Sequence, residues 1–298
     1  MNFRTDMAEE RREYIKEKDP DGISYNEREE DGIKVTVLKV LNENGEKLIS
    51  KPKGTYITLN ASRYIKNPDS SDSVIDAIAK EISALIPQEG TVLVAGIGND
   101  GITPDALGPR CVKRIFTTRH LGTEVAPLFG FEKFRSTAGI SPGVLGKTGI
   151  ETAEVILSVV KEIKPCAVIA VDALAARRLE RVGGSVQLTD SGISPGSGIG
   201  NRRSALSRET LGVPVIGIGV PTVVDGASMV SDILEEYGID GTQILSDDKF
   251  KKEHSVVVTP KEIDLVVERA AQLIALAINR ALQPEIETED MLKIIATA

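Results

Sequence analysis

The feature that most constrains the fold is a set of short, uninterrupted apolar runs. Val92-Leu93-Val94-Ala95 closes on Gly96, Cys166-Ala167-Val168-Ile169-Ala170-Val171 closes on Asp172, and Val213-Pro214-Val215-Ile216-Gly217-Ile218 follows. A strand with one wet face alternates apolar and polar residues, so a run without alternation belongs to a strand covered on both faces. Helical spacing accompanies these runs. Val74, Ile75, Ile78, Ile82, Leu85 and Ile86 precede the first, and Val155, Ile156, Val159, Val160 and Ile163 precede the second. A helix near 225–236 follows the third. A longer one is expected from Thr259-Pro260 to Leu282, with Thr259 as its cap and Glu262 completing the capping pattern. Strands alternating with helices predict an α/β fold, a mostly parallel sheet flanked by helices.

The N-terminal region reads differently. Residues 1–31 mix Arg, Lys and Glu with few apolar anchors, which predicts a mobile or loosely docked arm. Residues 33–41 alternate like a half-buried strand, Asn42-Glu43-Asn44-Gly45 signals a turn, and Tyr56-Ile57-Thr58-Leu59 reads as a further strand. The expected organisation is therefore an arm at 1–31 and one α/β domain at 32–298, with a small β extension at about 32–60. The last dozen residues read as a tail.

The chemistry is narrowed by elimination. Two cysteines and two histidines occur in 298 residues, Cys111, Cys166, His120 and His254, so neither a disulfide framework nor a His- or Cys-rich metal centre is available. His120 sits where a cation favours a helix end, and His254 reads as a loop residue. Acid–base work falls to Asp, Glu, Lys or Tyr. The net charge of -8 argues against a phosphate-backbone binder, so no nucleic acid partner is expected. No apolar run approaches the roughly 20 residues that span a bilayer, and Met1 to Asp6 lacks a secretory apolar stretch.

Three motifs mislead. Gly96-Ile97-Gly98-Asn99-Asp100-Gly101 matches the dinucleotide fingerprint, but Ile102-Thr103-Pro104-Asp105 is too broken for the helix that should receive a pyrophosphate. Asp190-Ser191-Gly192 looks like the element of pepsin-type proteases, which are all-β and use it twice; a strand end entering a loop explains it better. Ser194 to Asn201 is glycine-rich but lacks the lysine of a phosphate loop. No cofactor is expected.

In open parallel sheets, ligands bind beyond the carboxyl ends of the strands. Asp172 directly ends one apolar run and Asp105 lies in the loop after another, so both can reach one crevice. Two carboxylates in a partly desolvated site titrate as a pair, which lets one accept a proton from water while its protonated partner polarises a carbonyl. Capping of a helix N-terminus would account equally for an Asp at either position.

At these residues the chain resembles the germination protease family of endospore-forming bacteria. The resemblance is carried by Thr103 to Pro109, Pro142 to Thr152, Asp172 to Arg177, Asp190 to Asn201, Gly219 to Asp225 and Val258 to Asp264, in the family's order, and by Arg4-Thr5-Asp6-Met7-Ala8. It implies an aspartic-type endopeptidase of unusual kind, with Asp105 and Asp172 catalytic, on an α/β fold similar to that of hydrogenase maturation peptidases. It further implies a zymogen that cleaves itself between Asp6 and Met7, leaving a propeptide shorter than many in the family. A homotetramer in the forespore and spore core, acting on small acid-soluble spore proteins, is also implied. Two departures stand out. The stretch around 238–253 is much shorter than in the family, and Gly101 is not expected from it.

Asp190 and Lys147 are next in line should the pair need another partner. The competing enzyme reading is a metal-dependent processing peptidase with Asp105 and neighbouring acids as ligands. A third reading is a nucleotide-responsive module built on Gly96 to Gly101.

Overall fold

A computed structural model of the chain describes residues 4–66, 72–121, 134–194, 204–239, 256–287, 290–291 and 293. Its strands are β1 (Ile23–Glu30), β2 (Ile33–Val40), β3 (Gly54–Asn60), β4 (Val92–Gly96), β5 (Thr137–Ile140), β6 (Ala167–Ala176), β7 (Ser185–Thr189), β8 (Val215–Asp225) and β9 (Val257–Val258). The helices used below are α1 (Ala8–Glu13), α2 (Glu43–Ile49), α3 (Ser62–Lys66), α4 (Asp72–Leu85), α5 (Leu107–Val112), α6 (Leu145–Thr148), α7 (Thr152–Ile163), α8 (Arg208–Leu211), α9 (Gly226–Glu236) and α10 (Ile263–Leu282). The strands form one sheet in the order β1-β2-β3-β7-β8-β6-β4-β5, with β9 added to the end of β8.

The α/β fold with a sheet flanked by helices is as expected, and the sheet is mixed rather than purely parallel. The pairs β5-β4, β4-β6 and β6-β8 are parallel, whereas the pairs joining β8, β7, β3, β2 and β1 are antiparallel. The apolar runs predicted the parallel centre correctly. They are silent on β7, whose Ser-Val-Gln-Leu-Thr joins the N-terminal strands to that centre. Alternate residues feed two cores. Val92, Val94, Ile169, Val171, Ile216 and Ile218 face α4, α5 and α10, while Leu93, Ala95, Val168, Ala170 and Val215 face α7 and α8. A third cluster, Ala8, Ile23, Leu38, Val40, Ile49 and Tyr56, closes the β extension beneath α1 and α2.

The expected arm at 1–31 is corrected over its described residues. Met7 and Ala8 are fully buried, and β1 pairs along its whole length with β2. The hairpin turns on Asp31 and Gly32, both at positive φ (51° and 75°), which suits an Asp-Gly turn between twisted strands. The extension thus starts at Ile23, and a boundary at 31/32 would cut a hairpin. Asn42 to Gly45 is likewise no turn. Asn42 accepts the N–H groups of Asn44 and Gly45 and caps α2. At α10 the expected cap fails, because the helix begins at Ile263 after Glu262 and the Thr259 hydroxyl bonds Pro260 O instead. Near the C-terminus, Ile286 and Met291 are buried in the first core, so the expected tail is packed at the described Met291. His254 and residues 195–203 lie outside the described residues, as does most of 238–253.

Helix α5 sits against β4 and β6 without any spacer. A methyl group at Gly108 would lie 2.4 Å from Ile97 N, Ile97 O and Val171 O, all main-chain atoms that cannot swing aside. Gly108→Ala is expected to cost about 3 kcal/mol, at the upper end of overpacking effects, measured as a lower midpoint of urea denaturation.

Candidate active site

The site lies where β4 stops and β6 continues. Pairing of the two ends at Gly96 opposite Val171, with Ile97 N–H donating to Val171 O (2.8 Å). Asp172 is the next residue of β6. The apolar run suggested that it ends the strand, but β6 runs on to Ala176, so Asp172 is held inside a strand and is 6% exposed. Its Oδ1 accepts the Ala173 N–H (2.9 Å).

Asp105 returns to this corner from the loop after β4, in a single 3₁₀ turn, Thr103–Asp105. The turn is fastened on three sides. Asn99 N–H donates to Asp105 O (3.0 Å) and Oδ2 (2.9 Å), Thr222 Oγ1 donates to Pro104 O (2.7 Å), and Thr103 Oγ1 donates to Asp264 at the start of α10 (2.9 Å). Thr222 can do this because β8 bulges there. Leu174 pairs with Pro221 but Ala175 with Val223, so Thr222 is the extra residue and is re-aimed toward the turn. Asp105 is half-buried. The two predicted carboxylates therefore flank the end of β4, Asp105 in the loop that follows it and Asp172 one residue beyond its last pairing with β6.

The reserve candidates separate. Lys147, on α6, brings its Nζ within 2.9 Å of where a Cβ on Gly101 would stand, so the unexpected glycine makes room for a lysine beside the Asp105 loop. Asp190 is elsewhere. It follows β7, which runs against β8, and its Oδ1 accepts the Thr55 N–H (2.6 Å) at the base of β3. Burial pushes the Cys111 thiol up to about 12, and His120 is exposed in a short turn. Among the described residues, no group of three or more His, Cys, Asp or Glu side chains is arranged to hold a metal ion.

A model of the germination protease family matches residues 3–243. The chain is 44% identical to the germination protease of Caldanaerobacter subterraneus subsp. tengcongensis over 98% of its own length and 97% of the relative's. It is 41% identical to that of Clostridium perfringens, over 99% of both chains, and 36% identical to that of Priestia megaterium, over 97% and 96%. The chain belongs to the germination protease family. It is thus a peptide-bond hydrolase. Among solved structures, a hydrogenase maturation protease from Thermococcus kodakarensis aligns over 66% of this chain and 98% of its own, at 18% identity and a TM-score of 0.38. No helix among the described residues is long and apolar enough to cross a membrane.

Within this protease the N-terminal segment occupies the edge of β6 that β4 leaves open. Asp6 N–H donates to Ala175 O (2.8 Å), and Asp6 Oδ2 accepts the Ala175 N–H (2.9 Å). Glu10 accepts the N–H groups of Arg177 (2.8 Å) and Arg178 (3.1 Å) on its two oxygens. Arg181 holds Glu9 (2.7 Å), and the buried Arg177 guanidinium lies 4.1 Å from the Tyr14 ring while pairing with Glu235 of α9 (3.0 Å) and with Asp232. Residue-level motifs pointed to Asp6 and Met7 but not to these anchors, since none of them is needed to recognise a helix or a strand.

Burial holds the Glu10 carboxyl above its ordinary value of 4.5, even though Thr5, the two main-chain donors and Arg181 all pull it down. A carboxyl raised on folding binds its proton more tightly in the native state. Its contribution to stability is therefore full below 4.5 and is lost as pH rises through the raised value. Glu10→Gln lacks this titration. Its stability relative to the parent is expected to increase from pH 4 to pH 7 in urea denaturation; a flat difference contradicts the assignment.

Proposed function

We propose that this chain is a zymogen endopeptidase that begins the breakdown of small acid-soluble spore proteins at germination, with Asp105 and Asp172 activating water. The observation that carries the reading is the corner itself. A buried Asp172 sits one residue beyond the last β4–β6 pair, and a triply fastened turn returns Asp105 to the end of the neighbouring strand. The Asp105 turn is tied to three other elements, which suits a group whose position matters. In this mechanism one carboxylate takes a proton from water as it attacks a peptide carbonyl, and the other, protonated, hydrogen-bonds the carbonyl and later protonates the leaving nitrogen. In this reading the two carboxyl groups share one partly dry site, and that proximity divides the labour between them.

The zymogen part of the reading is supported by the docking of residues 4–10 along β6 where it continues past Asp172, at Ala175, Arg177 and Arg178. The Asp6–Met7 bond is shielded, with Met7 fully buried and Asp6 9% exposed, so it is protected from other molecules while the segment stays seated. Self-processing is expected in cis. Assembly as a homotetramer in the forespore and spore core belongs to the same proposal, and Val230, Ile233 and Tyr237 along α9 provide an exposed apolar stripe that assembly would cover.

Asp105→Asn and Asp172→Asn are each expected to lower the rate of spore-protein cleavage by roughly 10²- to 10⁴-fold, the usual worth of acid–base groups, while circular dichroism and thermal midpoint stay near the parent's. Undiminished cleavage by either purified variant rules the pair out.

A further inference from the structure

We infer that Gln187 is a third catalytic residue, the donor that holds and polarises the carbonyl of the peptide bond being cut. The inference rests on the carboxylate reading above and on cleavage after Asp6. Gln187 lies on β7 and is 6% exposed. Its amide straddles Met7. Nε2 donates to Asp6 O (3.1 Å) and Oε1 accepts the Ala8 N–H (2.7 Å), so the main-chain groups on either side of Met7 are read by one side chain.

The sheet register puts this clamp in line with Asp172. Gln187 pairs with Gly219 on β8, and Gly219 pairs with Asp172 on β6. Directly paired residues project to the same face, so Gln187 and Asp172 flank Gly219 on one side of the sheet. Two strand spacings of about 4.8 Å separate their main chains, a span that two side chains and a peptide group can bridge. Gly219 has no side chain of its own, and Leu174 leans over it from β6; a methyl group there would lie 2.5 Å from Leu174 Cγ and 2.7 Å from Asp172 O. The N-terminal segment crosses this row just before and at the start of α1, with Met7 extended. Arg4 reaches Asp225 at the end of β8 (3.5 Å), Asp6 lies beside Ala175, and Ala8 reaches Gln187.

The step balances without any further group. Water forms a bond to the Asp6 carbonyl carbon as one carboxylate accepts its proton, and the carbonyl oxygen gathers negative charge against Gln187 Nε2. The C–N bond to Met7 then breaks, and the leaving nitrogen takes its proton from the partner carboxyl. A donor fixed in a site shielded from water stabilises such an oxygen more than water does, because it is already oriented. Release of the segment ending at Asp6 vacates Nε2 and the Ala175 main-chain groups. An incoming polypeptide can then take the same seat, with an acidic side chain on the Ala175 N–H.

The test uses the full-length chain and follows appearance of the product beginning at Met7 by mass spectrometry between pH 4 and pH 8. Gln187→Ala is expected to slow this cleavage by about 10²-fold, as loss of one oxyanion donor does, with the thermal midpoint recorded alongside. Gln187→Glu keeps the shape and the acceptor but faces the carbonyl with a carboxylate. Its rate relative to the parent at each pH is expected to climb as pH falls toward about 4, where a glutamic acid regains a proton to donate. A purely structural glutamine would not give that profile.

Gln187→Ala at the parent's rate overturns the inference, as does a pH-independent ratio for Gln187→Glu, or a parent chain that never cleaves after Asp6. The Asp105→Asn and Asp172→Asn variants report separately. If they still cleave while the Gln187 variants do not, the clamp stands and the carboxylate assignment falls.

Discussion

The structure depends on an inequality between two neighbouring strands. β4 ends at Gly96, while β6 continues from Asp172 to Ala176 with one edge bare. Buried main-chain N–H and C=O groups must find partners, and here the partners come from outside the parallel core. Ala175 is satisfied by Asp6 and Arg177 by Glu10. The edge that needs covering is also the edge next to Asp172. The same geometry therefore anchors the N-terminal segment, through one main-chain bond from Asp6 and through the Asp6 and Glu10 carboxylates.

Rigidity around the corner comes from close main-chain approach. Helix α5 rests directly on Ile97 and Val171 through Gly108, and the Asp105 turn is tied to β8 by Thr222 and to α10 by Thr103. Such contacts leave little slack around the Asp105 turn and the start of the stretch of β6 that β4 leaves unpaired. The bulge at Thr222 shows how a local irregularity serves this purpose. One extra residue in β8 spoils the register with β6 and in exchange aims a hydroxyl at Pro104 O.

Much of the fold was legible in the sequence. Continuous apolar runs identified the parallel strands because burial on both faces leaves no alternation to see, and helical spacing located α4, α7, α9 and α10. The polar stretches were misread. Residues 23–30, Ile-Ser-Tyr-Asn-Glu-Arg-Glu-Glu, look like a solvated arm, yet they form an edge strand whose outward face is wet and whose pairing to β2 needs no apolar character. Gln187 had no signal at all, since a lone glutamine in a short strand acquires meaning only from what lies opposite it.

The sequence by itself determined the parallel centre, the scarcity of His and Cys and the motif blocks that mark the family, because each is written in local composition and order. Tertiary structure alone decided that Asp172 lies within a strand rather than at its end, that the N-terminal segment is packed, and that Gln187 shares a row with Asp172. Those outcomes depend on strand length and register, which are set by pairing between distant segments, and pairing is a property of the folded sheet rather than of any one stretch of chain.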